Sequence, residues 1–424
     1  MSTDTAARLA RKVLWRLAAP LILFMLLSSL DRVNVSFAAI QMNRELGFTP
    51  AQYGFGAGIL FVGFLAGQYP SVLAQQRWGM RHWMGLSAVM WGLCAGGMAF
   101  IRTPAQFYGL RVLLGFVEGG IAPGIVFYLS QFATERERAT TFALPMVAIP
   151  LSVVIGAPLS GWLMGQQGLF GLAEWRWMFV AEAVPTVLLG LVSFVYFPDA
   201  PGEAGWLEQG ERDWLAANAA NRREARPAND WHVLRRPLVW ASALLWFCLL
   251  SGSYGIMFWL PQIVAQLARL APLEVGLVTA LPWFGNIFGI YFNSRHSDRT
   301  GERFWHIAIP AAVTAGALLA AAALGATIAG LVALIIAGTG LGAAQGAFWA
   351  LPTRSFTPAT FAVGAVAINI GGSSGGLVMP WLVGIVKAAS PSAWGPSLLI
   401  AAVLGLAVII VLAIRARDDT PAAA

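Results

Sequence analysis

Two opposite charges, Arg111 and Glu118, lie seven residues apart in a long apolar run of this sequence. The run covers about residues 105–132, which is long enough to cross a bilayer as a helix. Seven residues make nearly two helical turns, so both side chains share one face and lie about 10 Å apart along the axis. An ionised group in hydrocarbon is costly unless it is paired or wetted. This face is therefore predicted to line a polar interior that water reaches.

A second charged pair, Asp31 and Arg32, lies near the middle of the first apolar run. Counted inward from the predicted outer ends of the runs, Arg111 lies about 9 Å deep, this pair about 12–14 Å and Glu118 about 20 Å. If the two helices face one cavity, Arg111 reaches Asp31 and Glu118 approaches Arg32. Fixed interhelical salt bridges are the alternative. Two acids and two bases in one half of the chain, with none at matching places in the other half, favour a functional role.

The second half of the chain offers neutral polar and aromatic groups at Tyr254, Trp349, Asn369 and Ser373. Such groups can orient a ligand by hydrogen bonds and stacking while a charged half binds its anionic part. For each residue taken alone, helix packing is the alternative. The stretch 371–375 fits the GxSxG pattern of hydrolases, but that pattern requires a strand-turn-helix context, and here it lies within a membrane helix. A polytopic membrane enzyme is therefore only a remote alternative.

The composition defines the class of protein. Of 424 residues, 58% are hydrophobic and 11% are charged, whereas soluble domains contain about 25% charged residues. The mean hydropathy is +0.68, and an all-α polytopic membrane protein is predicted. The net charge of +7 is spread in short clusters between apolar runs, so no nucleic-acid partner is expected. No metal-ligand spacing occurs, and neither a metal nor a cofactor is expected apart from a coupling proton.

Apolar runs of about 18 or more residues predict twelve membrane-spanning helices. Their approximate limits are 13–40, 51–75, 83–101, 105–132, 139–166, 175–197, 237–265, 273–294, 305–324, 327–352, 360–388 and 394–414. The polar segment 198–236 divides them into a six-helix half at 13–197 and another at 237–414, which predicts two pseudo-symmetric halves joined by a linker.

The basic residues predict the orientation in the membrane. Most of the 27 lysines and arginines lie on the side that holds both termini and the 198–236 linker, so this side is predicted to be cytoplasmic. Short outer loops without a glycosylation sequon favour a bacterial cytoplasmic (inner) membrane. The protein is expected to be monomeric in the lipid bilayer.

An internal repeat supports the division into halves. The loops after the second and eighth spans share an Arg-x-Gly-x-Arg spacing, each at the same place in its half. The predicted gating-loop residues are Arg77, Gly79, Arg81, Asp298, Arg299, Gly301 and Arg303. Glycines spaced by four, such as Gly54 with Gly58 and Gly63 with Gly67, predict close helix packing.

Several stretches together resemble the anion:cation symporter family of the major facilitator superfamily. They are residues 29–38, the Arg111 to Glu118 spacing, "GIMFWLP" at 255–261, "HSDRTGERFWH" at 296–306 and "FWALP" at 348–352. The family includes bacterial galactonate, tartrate and phthalate permeases. The resemblance implies a twelve-helix transporter for small organic anions that works by alternating access and is usually coupled to protons in bacteria.

The resemblance also implies roles for individual residues. Arg32 matches the family arginine that binds the substrate carboxylate. Asp31 and Glu118 match its proton-titrating acids, and Arg111 matches the arginine that partners them. Asn369 lies where the family has a substrate-contacting asparagine.

Three residues depart from the family pattern. Gln76 replaces the usual aspartate of the first gating loop, which puts the salt-bridge role of that loop in question. Ser29 and Phe64 stand where many relatives have tyrosines, so the cavity is expected to be roomier and more apolar. Among the substrates that the family suggests, namely an aromatic carboxylate, a sugar acid or a dicarboxylate, an aromatic or otherwise apolar carboxylate is then favoured over a compact polyhydroxy acid. An exchanger or efflux carrier of the same fold is the alternative to an importer.

Overall fold

The computed structural model describes residues 8–9, 11–132, 138–166, 171–224, 230–268, 270–325, 327–390, 392 and 394–418. Within these ranges the regular structure is helical and no β-strand occurs. Arg136, Arg226 and Arg269, which contribute to the charge count by side, lie outside them.

The helices are numbered here in chain order. They are α1 Ala19–Leu46, α2 Pro50–Gly97, α3 Pro104–Glu118, α4 Ile121–Phe132, α5 Arg138–Met164, α6 Glu174–Tyr196, α7 Gln209–Glu224, α8 Pro237–Ala268, α9 Pro272–Thr300, α10 Trp305–Leu324, α11 Ile328–Phe348, α12 Pro358–Ala389 and α13 Trp394–Asp418. A π-helical turn, Leu14–Ala18, leads into α1.

The described helices account for the twelve predicted spans. Ten of them are long and apolar enough to cross a membrane. One of the ten, Pro50–Phe100, holds two spans separated by a kink at Gly79, where φ is 78°. Helix α5, 27 residues long, lies at the remaining predicted span and contains the shorter apolar stretch Pro150–Met164. The all-α membrane fold predicted from hydropathy is therefore confirmed.

Local signals place the helix ends. The side chain of Thr103 accepts a hydrogen bond from the amide of Gln106, and Pro104 takes the first position of α3. Thr357 and Pro358 begin α12 in the same way. A hydroxyl cap satisfies an otherwise unpaired amide, and proline has no amide to leave unpaired at this position.

The helices form two compact units. The first unit comprises the described parts of Met1–Asp31, Val62–Ser152 and Arg176–Arg226. Within it, α2 crosses α3 so closely that a Cβ at Gly63 or Gly67 would lie 1.9 Å from a main-chain oxygen of α3. The structure confirms that this glycine pair allows close helix packing.

The second unit comprises the described parts of Arg32–Phe61, Val153–Trp175 and Pro227–Ala424. Glycines again set its helix contacts, because a Cβ at Gly338 would lie 2.1 Å from the carbonyl oxygen of Pro282, and one at Gly342 would lie 2.2 Å from that of Asn286. The predicted halves at 13–197 and 237–414 with their linker stay a prediction.

The 198–236 linker is anchored to the start of the chain within the first unit. Lys12 Nζ donates to Glu211 Oε1 and Oε2 at 3.0 and 2.9 Å, and it lies 3.4 Å from Glu208 Oε1. Burial alone would raise the pKa of Glu211, but the hydrogen bonds from Lys12 and from the main chain of Glu208 hold the pKa below its ordinary value.

The linker contact predicts a pH-dependent stability. Because the Glu211 pKa is lower in the folded state, its contribution is present above the ordinary carboxyl pKa and is lost as the pH falls through the lowered value. We expect Glu211→Gln to reduce the melting temperature in detergent by about 2–4 °C at neutral pH. At a pH below the lowered value the difference should vanish. Glu208→Gln is the control, because that side chain is 79% exposed. A deficit in Glu211→Gln that is independent of pH contradicts this account.

Candidate functional site

Asp31 lies in the interior of the first unit, where two side chains from other helices reach it. Trp91 Nε1 donates to Asp31 Oδ2 at 2.5 Å. Arg111 Nη1 donates to the main-chain oxygen of Asp31 at 3.3 Å. All three side chains are buried. The structure thus brings Asp31 and Arg111 together as the sequence predicts, and it adds an indole donor on the carboxylate.

Glu118 is the last residue of α3 and, like Arg111, is 1% exposed. The helix is interrupted directly after it, at Gly119 and Gly120. A Cβ at Gly119 would lie 2.2 Å from the carbonyl oxygen of Phe64, so α2 passes close to this break. An enclosed carboxylate in a membrane-spanning segment is costly, so Glu118 lies at a candidate functional position.

The two residues singled out for ligand size are placed differently. Ser29 is buried in α1 of the first unit, and Phe64 is half-buried in α2 of the same unit. Phe64 is tied to the Glu118 region through the close approach of its main chain to Gly119.

Arg32 is the first residue of the second unit and is 9% exposed. It is followed by two further buried polar residues, Asn34 and Ser36. The Ser36 hydroxyl donates to the main-chain oxygen of Val33 at 2.5 Å. Burying a polar side chain inside a membrane span is costly. Such side chains therefore usually face a functional interior of the protein and not the lipid. The predicted approach of Glu118 to Arg32 stays a prediction.

Tyr254 lies in an aromatic group of the second unit. Its ring is 4.5 Å from that of Phe61 and 6.1 Å from that of Phe258, measured between centroids. The ring is half-buried, so Tyr254 combines an apolar face with a phenol hydroxyl. Such a residue can stack on a ligand and donate a hydrogen bond to it.

A second aromatic group surrounds Trp349. The ring of Trp246 stacks on that of Phe348 at 4.4 Å and meets Trp349 nearly edge-on at 5.9 Å. Gly372 makes room for it, since a Cβ there would lie 2.2 Å from Cδ1 of Trp246. Asn369, one turn before Ser373 on α12, is half-buried, and Ser373 is buried. This helix therefore carries polar groups beside an aromatic surface.

Gln345 adds an amide to the second unit. Its Nε2 donates to Ser253 Oγ at 2.6 Å and to the main-chain oxygen of Leu249 at 3.3 Å. Ser253 directly precedes Tyr254, so this pair fixes α8 against α11 next to the aromatic groups.

The two predicted gating loops share a backbone feature. Gly79 has φ 78° and Gly301 has φ 71°, a conformation that L side chains rarely adopt. The repeated glycine is therefore required by the turn. The two loops differ in the carboxylate that holds their last arginine.

In the first loop the carboxylate comes from the linker. Asp199 Oδ1 accepts from the main-chain amide of Arg81 at 2.8 Å, and Glu203 Oε2 accepts from Arg81 Nη2 at 3.2 Å. In the second loop Asp298 itself accepts from Arg303 Nη1 at 2.7 Å. Gln76 occupies the place equivalent to Asp298, so Asp199 and Glu203 supply the carboxylates that Gln76 lacks. Arg77 is exposed, as is Arg299.

The second loop also contains a chain of titratable side chains. His296 Nδ1 lies 2.6 Å from His306 Nε2, and His306 Nδ1 lies 2.8 Å from Glu302 Oε2. Burial alone would raise the pKa of Glu302, but hydrogen bonds from the amide of Trp305 and from His306 hold the pKa below its ordinary value. Among the described residues no group of three histidine, cysteine or acidic side chains is arranged to hold a metal ion.

Four contacting residues were missed by the sequence reasoning. Trp91 and Trp246 lie in apolar spans, where tryptophan is ordinarily read as packing. Asp199 lies just beyond the sixth predicted span, in the polar 198–236 segment, where nothing in the sequence distinguishes it from the other acidic residues. Gln345 carries the only local signal, an amide within a run of glycine and alanine.

Comparisons with known proteins agree with this architecture. A model of the Major Facilitator Superfamily matches residues 21–380. A protein from Agrobacterium vitis named "Putative tartrate transporter" is 38% identical over 100% of this chain and 94% of its own length. A "Quinolone resistance transporter" from Acinetobacter baumannii is 32% identical over 89% of this chain and 88% of its own.

The fold also matches solved structures. The structure of a bacterial homologue of the human lysosomal transporter Spinster, in an inward-facing and unoccupied conformation, has a TM-score of 0.78 over 98% of this chain and 96% of that one, at 16% sequence identity. The relatives are transporters, so the membrane-enzyme alternative is set aside, and a small-molecule substrate and a lipid environment follow. The chain is an integral membrane transporter and belongs to the major facilitator superfamily.

Proposed function

We propose that this protein is a proton-coupled symporter that imports a small organic anion across a bacterial cytoplasmic membrane by alternating access, with both termini in the cytoplasm. One observation carries the proposal, namely the set of enclosed charges at Asp31, Arg111 and Glu118 in membrane-spanning helices. Enclosing charges in a membrane protein is costly, and a substrate and proton pathway is the common reason to keep them. The tartrate-transporter name of the 38% identical relative supports an organic anion as substrate.

The proposed roles follow the chemistry of each side chain. Arg32 offers a planar fork that can make two charge-assisted hydrogen bonds to a carboxylate. Asp31 and Glu118 take up and release the coupling proton. Arg111 holds the main chain at Asp31 and supplies positive charge close to that carboxylate. No cofactor besides the proton is proposed.

The neutral residues of the second unit are proposed to select the substrate body. Tyr254 and Trp349 present aromatic faces, and Asn369 and Ser373 present hydrogen-bonding groups. We expect an aromatic carboxylate to bind more tightly than a compact polyhydroxy acid, because aromatic faces remove the apolar surface of its ring from water.

Ser29 and Phe64 should tune the size of the ligand. Replacing both with tyrosine adds two phenol groups, which fill space and add hydrogen-bond donors. We expect binding of benzoate and phthalate to weaken several-fold relative to tartrate, as measured by ligand-induced thermal shifts. The control is Phe100→Tyr, which changes an exposed phenylalanine. If the double variant keeps the wild-type ligand ranking, these two residues do not border the ligand.

An exchanger or efflux carrier is the second candidate, and the 32% identical quinolone-resistance relative favours it. Proteoliposomes separate the two functions. A symporter accumulates labelled anion when the outside is acidic and the inside is empty. An exchanger needs a counter-anion inside, and an efflux carrier exports under the same gradient. If uptake is independent of the proton gradient but requires anion inside the vesicles, the protein is an exchanger and the symport proposal is wrong.

A further inference from the structure

Lys387 is half-buried near the end of α12 that the arginine distribution assigns to the outside of the membrane. The chain has two lysines, Lys12 and Lys387. The Nζ atom of Lys387 is enclosed and has no hydrogen-bond partner among the residues that the structure describes. It lies 4.9 Å from the ring centroid of Trp259. A lysine near the end of a membrane helix ordinarily extends its ammonium to the water interface, whereas this ammonium points inward.

The indole beneath the ammonium is held in place from two sides. Trp259 Nε1 donates to the main-chain oxygen of Pro380 on α12 at 3.2 Å. The ring of Tyr53 on α2 meets that of Trp259 edge-on at 5.1 Å, and the Tyr53 hydroxyl donates to the main-chain oxygen of Phe258 at 2.8 Å. The indole therefore cannot turn to follow the lysine, so any movement of the ammonium breaks the contact.

Helices α2 and α12 meet beside Lys387 along what we call the α2–α12 seam, formed by Gly54, Gly58 and Gly384. A Cβ at each of these glycines would lie 2.2, 2.3 and 2.4 Å, respectively, from a main-chain oxygen of the facing helix. Pro380, Gly384 and Lys387 are spaced by four and three residues, so they share one face of α12. Lys387 thus lies at the outer end of the seam, where Tyr53 of α2 packs against the indole beneath its ammonium.

The enclosed ammonium opposes closure of the seam. A buried charge without a carboxylate partner is unfavourable, and the face of an indole offsets only part of that cost. Separation of α2 from α12 would return the ammonium to water. It would then present a positive charge at the outer entrance, where electrostatic attraction concentrates anions.

We propose that Lys387 is an anion-binding residue of the outward-open state, which leaves the face of Trp259 when the seam opens and holds the substrate carboxylate before it reaches Arg32. This assignment rests on the proposed uptake of organic anions. Under this assignment Lys387 contacts the substrate only when the protein is open to the outside. Substitution of Lys387 must therefore change the apparent affinity for outside substrate and not that for inside substrate.

Chemical labelling tests the position of the lysine. In a Lys12→Arg background Lys387 is the sole lysine, and an impermeant N-hydroxysuccinimide ester applied outside right-side-out vesicles reports its exposure by peptide mass spectrometry. Gly58→Leu should wedge the seam open and raise labelling several-fold. Gly405→Leu is the matched control, because a Cβ at Gly405 meets nothing within 4 Å. Labelling from the inner face instead, or equal labelling in both variants, would overturn the assignment.

Transport kinetics test the anion contact. Proteoliposomes with labelled tartrate and benzoate as probes should show that Lys387→Met raises the outside KM by about tenfold, the loss of one charge-assisted hydrogen bond. The inside half-saturation in counterflow should not change, and Lys387→Arg should retain most of the outside affinity. An equal shift on both faces, or none, overturns the assignment while wild-type transport leaves the proposed function intact. A wild type that moves neither probe overturns the proposed function and this assignment with it.

Discussion

Uptake by an Arg32→Lys variant should fail almost as completely as uptake by Arg32→Ala. A guanidinium presents two parallel donors to a carboxylate, whereas an ammonium makes a point contact and is harder to desolvate. Losing one charged hydrogen bond at an enclosed site costs about 1.5–3 kcal/mol, so the apparent affinity for substrate should fall about 10- to 100-fold. The measurements are ligand-induced thermal shift and proteoliposome uptake over a range of substrate concentrations.

The control for this prediction makes the same substitution elsewhere on the first membrane segment. Arg16→Lys changes an exposed arginine in the π-helical turn before α1 and should leave affinity unchanged. Thermal stability without ligand shows whether each variant folds. Near-normal apparent affinity in Arg32→Lys would mean that substrate is not held by a two-point contact at this residue.

Glu118→Gln should uncouple substrate transport from the proton gradient that drives accumulation. Glutamine keeps the shape and much of the hydrogen bonding of the carboxyl group but fixes the site in a neutral state. When ionised, Glu118 would compete with the incoming carboxylate for positive charge, so anion binding favours its protonated form and brings a proton with the substrate. Closure around neutralised charges is also less costly than closure around a bare carboxylate.

The expected result is that Glu118→Gln binds substrate and exchanges it across the membrane, while accumulation driven by an inward proton gradient falls to the equilibration level. The matched control is Glu182→Gln, which removes a second buried carboxylate, from α6 of the same unit, and which should accumulate normally. Persistent gradient-driven accumulation in Glu118→Gln would assign the coupling role to Asp31 and leave Glu118 a structural residue.

More of the fold than of the candidate site can be predicted from the sequence. Hydropathy located the spans because the need to cover about 20 residues with apolar side chains acts along the chain and is visible in it. The repeat was visible for a similar reason, since the turns at Gly79 and Gly301 need a residue that tolerates a positive φ. The placement of Arg111 and Glu118 on one buried helix was also readable, because their spacing of seven residues corresponds to nearly two helical turns.

The side-chain contacts of those residues could not be predicted from the sequence. The pairing of Asp31 with Trp91 depends on how two helices are rotated about their axes, and no periodicity of either helix specifies a particular partner. The carboxylate of Asp199 replaces the one that Gln76 lacks, although the two residues are far apart in the chain.

The sequence by itself thus determined that this chain has an all-α membrane fold and carries opposite charges within its apolar spans, because solvation acts on each residue locally. Only the tertiary structure decided which groups meet those charges: Trp91 at Asp31, Asp199 at Arg81 and Trp259 beneath Lys387. Each of these contacts depends on how two segments pack, and packing is a property of pairs of surfaces that neither segment contains alone.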